Sequence, residues 1–309
     1  MAEAPSNAHT LDNLLAEDRT FPPRPEFADQ ANLGAEAYER AAINPDAFWS
    51  DEARRLTWAT PFTTALDWSD APHARWFADG TLNVAHNCVD RHVEAGHGDR
   101  VAIHWEGEPG DSRTITYADL QKEVCRTANA LSALGLTTGD RVAIYLPMIP
   151  EAVFSMLACA RLGLTHTVIF GGFSAEAIRS RVADSEAKLI ITADGQYRRG
   201  APVSLKDAVD AAVAADDSPV RQVLVVRRTG IDVTWNDHDR WWHELVDSQP
   251  AEHEPEAFPA EHTLFLLYTS GTTGKPKGIV HTSGGYLTQA AYTHRVVFDL
   301  KPETDVYWC

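Results

Sequence analysis

From Asp99 onward, short apolar runs alternate with stretches whose apolar residues recur every three or four positions. The run DRVAIHW (99–105) reads as a strand, and the residues after it as a helix. In that helix Thr116 and Asp119 make a capping-box-like start, and Leu120, Val124, Ala128, Leu131 and Leu134 share one face. Gly135 supplies the stop. GDRVAIYLP (139–147) is a continuous apolar run of strand length. Pro150 and Glu151 open a helix through Gly163, because the first helical turn tolerates proline and favours an acid. THTVIF (165–170) is the next strand, ending at Gly171-Gly172, and Ser174 caps a helix over 175–185. AKLIITA (187–193), RQVLVVRR (221–228) and HTLFLLY (262–268) are strands, with a helix over 205–215 between the first two. Strands alternating with helices predict an α/β fold of layered, mainly parallel sheets flanked by helices. Ligands of such sheets bind beyond the carboxyl ends of the strands.

The earlier part has a different texture. Residues 1–30 are polar, acidic and proline-bearing, as expected of an extended arm. Residues 31–84 carry tryptophan-rich segments such as NPDAFWSDEARRLTW, which predict short helices and loops burying aromatics against a larger body. The chain shows no internal repeat.

Composition narrows the function classes. The 309 residues are 44% hydrophobic, as in a globular protein. A net charge of −17 repels nucleic acid and anionic membrane, which excludes both as partners. The cations are 21 arginines and only six lysines, and the acidic excess suggests adaptation to high salt, a halophilic trait. Cys88, Cys125, Cys159 and Cys309 show no C-x-x-C spacing, so free, mostly buried thiols are expected rather than a disulfide framework or zinc site. The thirteen histidines show no H-E-x-x-H pattern, and no metal ligands are assigned. The first residues lack the basic and apolar regions of a signal peptide, and the apolar stretch 142–170 is broken by Pro147, Pro150, Glu151 and Arg161. A cytoplasmic location is the expectation.

The stretch LFLLYTSGTTGKPKGIVHTSGGY (264–286) contains the densest candidate chemistry. After a strand come Thr269, Ser270, Thr272 and Thr273, the glycines 271, 274 and 278, and Lys275 and Lys277 around Pro276. Glycines let backbone N–H groups approach an anion, hydroxyls add neutral donors and the lysines add charge, a composition suited to a polyphosphate. The loop is not a Walker A motif, since Gly271 and Gly274 are too close together and proline follows Lys275. His281 and the Trp241-Trp242 pair read as packing residues.

YTSGTTGKPKGIVHTSGGY resembles the signature loop of the AMP-forming adenylating enzymes. NPDAFWSDEARRLTW, the LPMIPEAVFSMLACARLGLTHTVIFGGFS segment and the terminal DVYWC are similar to the acetyl-CoA synthetase branch of that family. The resemblance covers roughly residues 30–309. It implies an arm at 1–30, a branch-specific N-terminal extension at 31–84 and an incomplete AMP-binding domain at 85–309. It also implies a two-step reaction. A short carboxylate, acetate foremost, attacks the α-phosphate of Mg-ATP to give acyl-adenylate and pyrophosphate, and the thiol of coenzyme A then displaces AMP. ATP, Mg2+ and coenzyme A are therefore the implied cofactors and acetate the implied substrate. By the same resemblance Thr269, Ser270, Gly271, Thr272, Thr273, Gly274, Lys275 and Lys277 hold the β- and γ-phosphates. Phe170, Gly171 and Gly172 approach the adenine end of coenzyme A, and Arg198, Arg199, Gly200 and Ala201 form the loop that meets its phosphates. The bacterial enzymes carry a second arginine where this chain has Ala201, with Arg199 as the neighbouring cation.

The family's acyl pocket, its adenine and ribose motifs and a small C-terminal domain with the catalytic lysine follow the point matching Cys309, so no catalytic residue is assigned within this chain. The expectation is an N-terminal fragment, inactive alone, with a complementary C-terminal half as a partner. Two alternatives stay open. One is another acyl-CoA ligase, propionyl- or aryl-specific; the other is a non-catalytic binding or assembly module of a split enzyme.

Overall fold

The computed structural model describes residues 20–269, 276–302 and 304–308. Its centre is a seven-stranded sheet built from β1 (Arg141–Tyr145), β2 (Thr165–Val168), β3 (Leu189–Ala193), β4 (Gln222–Val226), β5 (Asp239–Trp241), β6 (Thr263–Thr269) and β7 (Lys277–Thr282). The spatial order is β5-β4-β3-β1-β2-β6-β7, and every neighbouring pair is parallel except β6 with β7. Near-continuous apolar runs form the middle strands because helices cover both faces there. All five residues of β3 are buried, as are four of five in β1 and in β4.

The connecting helices are α1 (Tyr117–Ala133), α2 (Pro150–Arg161), α3 (Ala175–Ser185) and α4 (Lys206–Val213), with α5 (Ser283–Tyr292) following β7. The capping box of α1 is formed as its sequence predicts, with the Asp119 N–H donating to Thr116 Oγ1 at 3.1 Å. Leu120, Val124, Ala128 and Leu131 are buried on its inner face. Ser174 caps α3 by accepting from the Ala177 N–H at 3.3 Å. Helix α1 packs on α2, and α3 on α4. The β1-to-β2 crossover runs one way along the sheet, whereas β2-to-β3 and β3-to-β4 run the other. Right-handed crossovers therefore place the two helix pairs on opposite faces. Between the carboxyl ends of β1 and β3 the chain diverges, which is the position where this class of sheet opens a crevice.

Several elements depart from the alternation read along the chain. Residues 99–105 do contribute a strand, Val101–Glu106, but it pairs antiparallel with Ser112–Thr116 as a separate hairpin outside the central sheet. A Pro109-Gly110 turn with Gly110 at φ +88° folds it back before the helix begins. A second hairpin, Gly195–Arg198 with Ala201–Ser204, follows β3 directly. Strand β7 and helix α5 continue beyond the glycine- and threonine-rich loop.

The tryptophan-rich segment builds a second core. Trp58, Phe62 and Phe77 form an aromatic cluster with centroids 4.6–5.7 Å apart. Phe48 and Trp49 of the helix Pro45–Ala53 meet Tyr292 of α5 edge-on. Two buried ion pairs fasten the periphery. Arg161 holds Asp90 through two nitrogens at 2.7 and 3.1 Å, and Lys206 binds Asp239 at 2.8 Å. Cys88, Cys125 and Cys159 are free thiols. Burial pushes the Cys88 thiol up to about 11 and Cys159 higher still, so neither is a nucleophile at neutral pH. Among the described residues no helix is long and apolar enough to cross a membrane.

Candidate functional site

Two groups of sequence-selected residues lie at the carboxyl ends of the parallel strands. The first is the turn after β2. Gly171 and Gly172 lead from Phe170, which is 72% exposed, to the Ser174 cap of α3. Gly172 has φ +101°, a conformation that strains any residue with a Cβ. A side chain would also be crowded from outside. A Cβ on Gly171 would lie 3.2 Å from Gln196 Oε1, and one on Gly172 would lie 3.4 Å from an Arg198 nitrogen and 3.6 Å from Gln196 Nε2. The structure therefore brings Gly171, Gly172 and Arg198 together across β1 from two loops that are separate in sequence. Arg198 is exposed and has no ion-pair partner among the described residues.

The hairpin that carries Arg198 is held from both ends. Its tip is Arg199-Gly200, with φ +55° and +78°, the two left-handed residues of a type I′ turn. Ala201 lies opposite Arg198 in the ladder, so Ala201 and Arg199 both flank the arginine but at different positions of the hairpin. The Gly200 N–H donates to Glu108 Oε1 at 2.6 Å, which fastens the tip to the neighbouring hairpin. At the base, Asp194 is fully buried and accepts from the backbone N–H groups of Gly195, Arg228, Thr229 and Gly230 at 2.6–3.0 Å. One carboxylate thereby satisfies four donors and joins the ends of β3 and β4.

The second group is the phosphate-type loop. Its two ends are the paired residues Thr269 of β6 and Lys277 of β7, both exposed. Ser270, Gly271, Thr272, Thr273, Gly274 and Lys275 lie outside the described residues. Lys277 has no ion-pair partner among the described residues. Below this pair, one face of the sheet carries two cross-strand rows. Val168, Leu267 and Ile279 are 42–45% exposed. Under them His166, Phe265 and His281 form a stack with centroids 5.6 and 4.4 Å apart. His281 is thus a packing residue, and burial depresses the His166 imidazole to about 4.

Helix α3 connects the two groups. Arg181 lies over the Phe173 ring, just past the glycine turn, at 4.9 Å, and over Tyr268, next to Thr269, at 5.6 Å. Arg181, Asp194, Gln196 and Tyr145 were not among the residues singled out from the sequence. Asp194 had a local signal, an acid followed by glycine at the end of an apolar strand; the others had none that separated them from surface or core residues.

Other clusters carry less. A cavity of about 610 Å³ is lined by Arg113, Glu123, Arg126, Glu151, Arg227 and Trp242. Two of its arginines are already neutralised, Arg113 by Glu151 at 2.5 Å and Arg126 by Glu123 at 3.1 Å. Asp210, His238 and Asp239 have metal-like spacing, but the Lys206 ammonium fills the position between the two carboxylates.

Comparison with known proteins adds an independent result. The AMP-binding enzyme family matches residues 89–309, and the acetyl-coenzyme A synthetase N-terminus family matches residues 35–88. The chain is 67% identical over 301 residues to an acetyl-coenzyme A synthetase of Streptomyces avermitilis, covering 97% of this chain and 46% of that protein. It is 67% identical over 291 residues to one of Mycolicibacterium smegmatis, covering 94% of this chain and 31% of the relative. It is 54% identical over 307 residues to one of Gemmatimonas aurantiaca, covering 97% and 46%. The chain thus spans about half or less of the length of these curated relatives.

Proposed function

The chain belongs to the AMP-binding enzyme family, and from that premise we propose that it serves an AMP-forming acetate–CoA ligase, holding the pyrophosphate end of ATP and the nucleotide end of coenzyme A. In this reading residues 31–84 are an extension packed against α5, and residues 85–309 belong to the adenylate-forming domain. The observation that carries the proposal is the convergence of Gly171, Gly172, Gln196 and Arg198, which has no ion-pair partner among the described residues, at the sheet's point of divergence. The two glycines let Gln196 and Arg198 approach the turn closely, and the arginine supplies a planar, permanent cation for phosphate. The Thr269–Lys277 pair suits a second polyanion, with a hydroxyl donor and an ammonium at the mouth of the loop. Magnesium would arrive bound to the ATP phosphates.

The chemistry asks for positioning and charge neutralisation rather than an enzyme nucleophile. A carboxylate oxygen bonds to the α-phosphorus and pyrophosphate leaves with the broken P–O pair. The coenzyme thiolate then bonds to the acyl carbon and AMP leaves. Lys277 and Thr269 act in the first step by holding the departing phosphates, and Arg198 acts in the second by holding the incoming nucleotide. Tolerance of high salt would fit the −17 charge.

The exposed row Val168, Leu267 and Ile279 favours a polypeptide partner as well. This chain covers 46% of the Streptomyces avermitilis relative and 31% of the Mycolicibacterium smegmatis one, and their remaining sequence is the proposed cover for this sheet face. The test joins this chain to the C-terminal remainder of the Streptomyces avermitilis relative. Acetate-dependent ATP–pyrophosphate exchange should appear and be lost in Lys277→Ala, while Arg198→Ala should retain exchange but lose acetyl-CoA formation. Exchange that survives Lys277→Ala would remove the phosphate role.

A further inference from the structure

Tyr145 closes β1 at the point of divergence. Its side chain is almost fully buried, 1% exposed, yet it ends in a hydroxyl that must find partners. Both partners lie on the glycine turn. The hydroxyl accepts from the Gly172 N–H at 3.1 Å and donates to the Phe173 carbonyl at 3.0 Å. Donor and acceptor capacity are thus both used on two successive residues between the bare Cα of Gly172 and the Ser174 cap. No other hydrogen bond joins the body of the sheet to Gly172 or the Phe173 carbonyl among the described residues.

We propose that Tyr145 is a positioning residue for the coenzyme, setting the height of the Gly171-Gly172 turn against Gln196 and Arg198 through this paired hydrogen bond. The inference rests on the coenzyme reading above and deepens it. The Gly172 N–H points inward to Tyr145, so that donor is spent within the protein. Ligand recognition then falls on the opposite wall. Both Arg198 and the Gln196 amide reach within 3.4–3.6 Å of the space a Gly172 side chain would fill. If the turn shifts, its close contacts with Gln196 and Arg198 change and the arginine loses its register against the turn. Burial raises the Tyr145 phenol above its ordinary value, so it remains a donor through the neutral range.

The experiment is calorimetric titration of the 309-residue chain with coenzyme A for wild type, Tyr145→Phe and Arg198→Ala, with hydrogen exchange followed over residues 141–176. Tyr145→Phe keeps the ring and removes both bonds. It should weaken coenzyme A binding by roughly tenfold, the worth of one to two neutral hydrogen bonds. Exchange of the 170–174 backbone should rise while β1 and β2 keep their protection. Unchanged affinity in Tyr145→Phe, with Arg198→Ala weakened, overturns the positioning role and leaves the coenzyme reading standing. A loss of affinity accompanied by lost protection across β1 and β2 also overturns it, as general destabilisation. A wild type that takes up no coenzyme A, or an Arg198→Ala that binds as wild type does, overturns the coenzyme reading and this inference together.

Discussion

Tyr268 donates its phenol to Asp184 Oδ2 at 2.6 Å, so the strand leading into the phosphate-type loop is fastened to the helix that begins at the glycine turn. Burial, and then this hydrogen bond, hold the phenol well above its ordinary value, which keeps it protonated in all ordinary buffers. Two candidate ligand regions therefore share one rigid connector rather than two independent loops.

Tyr268→Phe removes that bond and keeps the ring under Arg181. It should cost about 1 kcal/mol in urea denaturation, the usual net worth of such a bond. A variant as stable as wild type would show that the contact does not fasten the strand.

Asp194→Ala should be far more damaging. It strips four backbone N–H groups of their acceptor in a fully buried setting, for a cost of at least ~3 kcal/mol. Urea unfolding monitored by tryptophan fluorescence measures it. A loss under 1 kcal/mol would mean that water replaces the carboxylate.

His166 makes stability depend on pH. Burial depresses its native pKa from 6.5 to about 4, and its Nδ1 has no partner among the described residues. The unfolded chain takes up the proton first, so this contribution is complete above pH 6.5 and is lost as pH falls toward 4. At about 1.4 kcal/mol per unit, the loss approaches ~3 kcal/mol. Unfolding midpoints for wild type and His166→Gln between pH 7.5 and 4.5 should converge as the pH drops; parallel curves would count against a buried neutral imidazole.

Gly172→Ala places a Cβ at φ +101° and 3.4 Å from Arg198. Backbone strain of about 1–2 kcal/mol is expected, together with weaker coenzyme A binding. Crossing it with Arg198→Ala should relieve part of the binding loss, because the two changes act on one contact. Strictly additive losses would separate the glycine from the arginine.

Most of the sheet was legible because its strands are uninterrupted apolar runs and its helices begin at Pro150, Ser174 and the Thr116–Asp119 box, all local signals. The hairpin Val101–Glu106 with Ser112–Thr116 was not. Its second strand is five residues of mixed polarity that abut a strong helix start, and only pairing with its neighbour makes it extended. The glycine turn was visible as two glycines closing an apolar run. Its fasteners were not, because Tyr145 lies 27 residues from Gly172, and Asp194 lies 34–36 residues from three of its donors.

By itself the sequence determined the layered α/β class, the strand-to-loop positions of both candidate regions and a glycine, hydroxyl and lysine composition suited to phosphate. Those follow from periodicity, capping and composition, which act over a few residues. The tertiary structure decided the strand order, hence that β1 stands between β2 and β3 and that the Gly171-Gly172 turn faces Gln196 and Arg198. It also decided that one phenol and one carboxylate hold those loops in place. Such contacts depend on which crossovers turn left or right along the sheet, and no local pattern of residues encodes that choice.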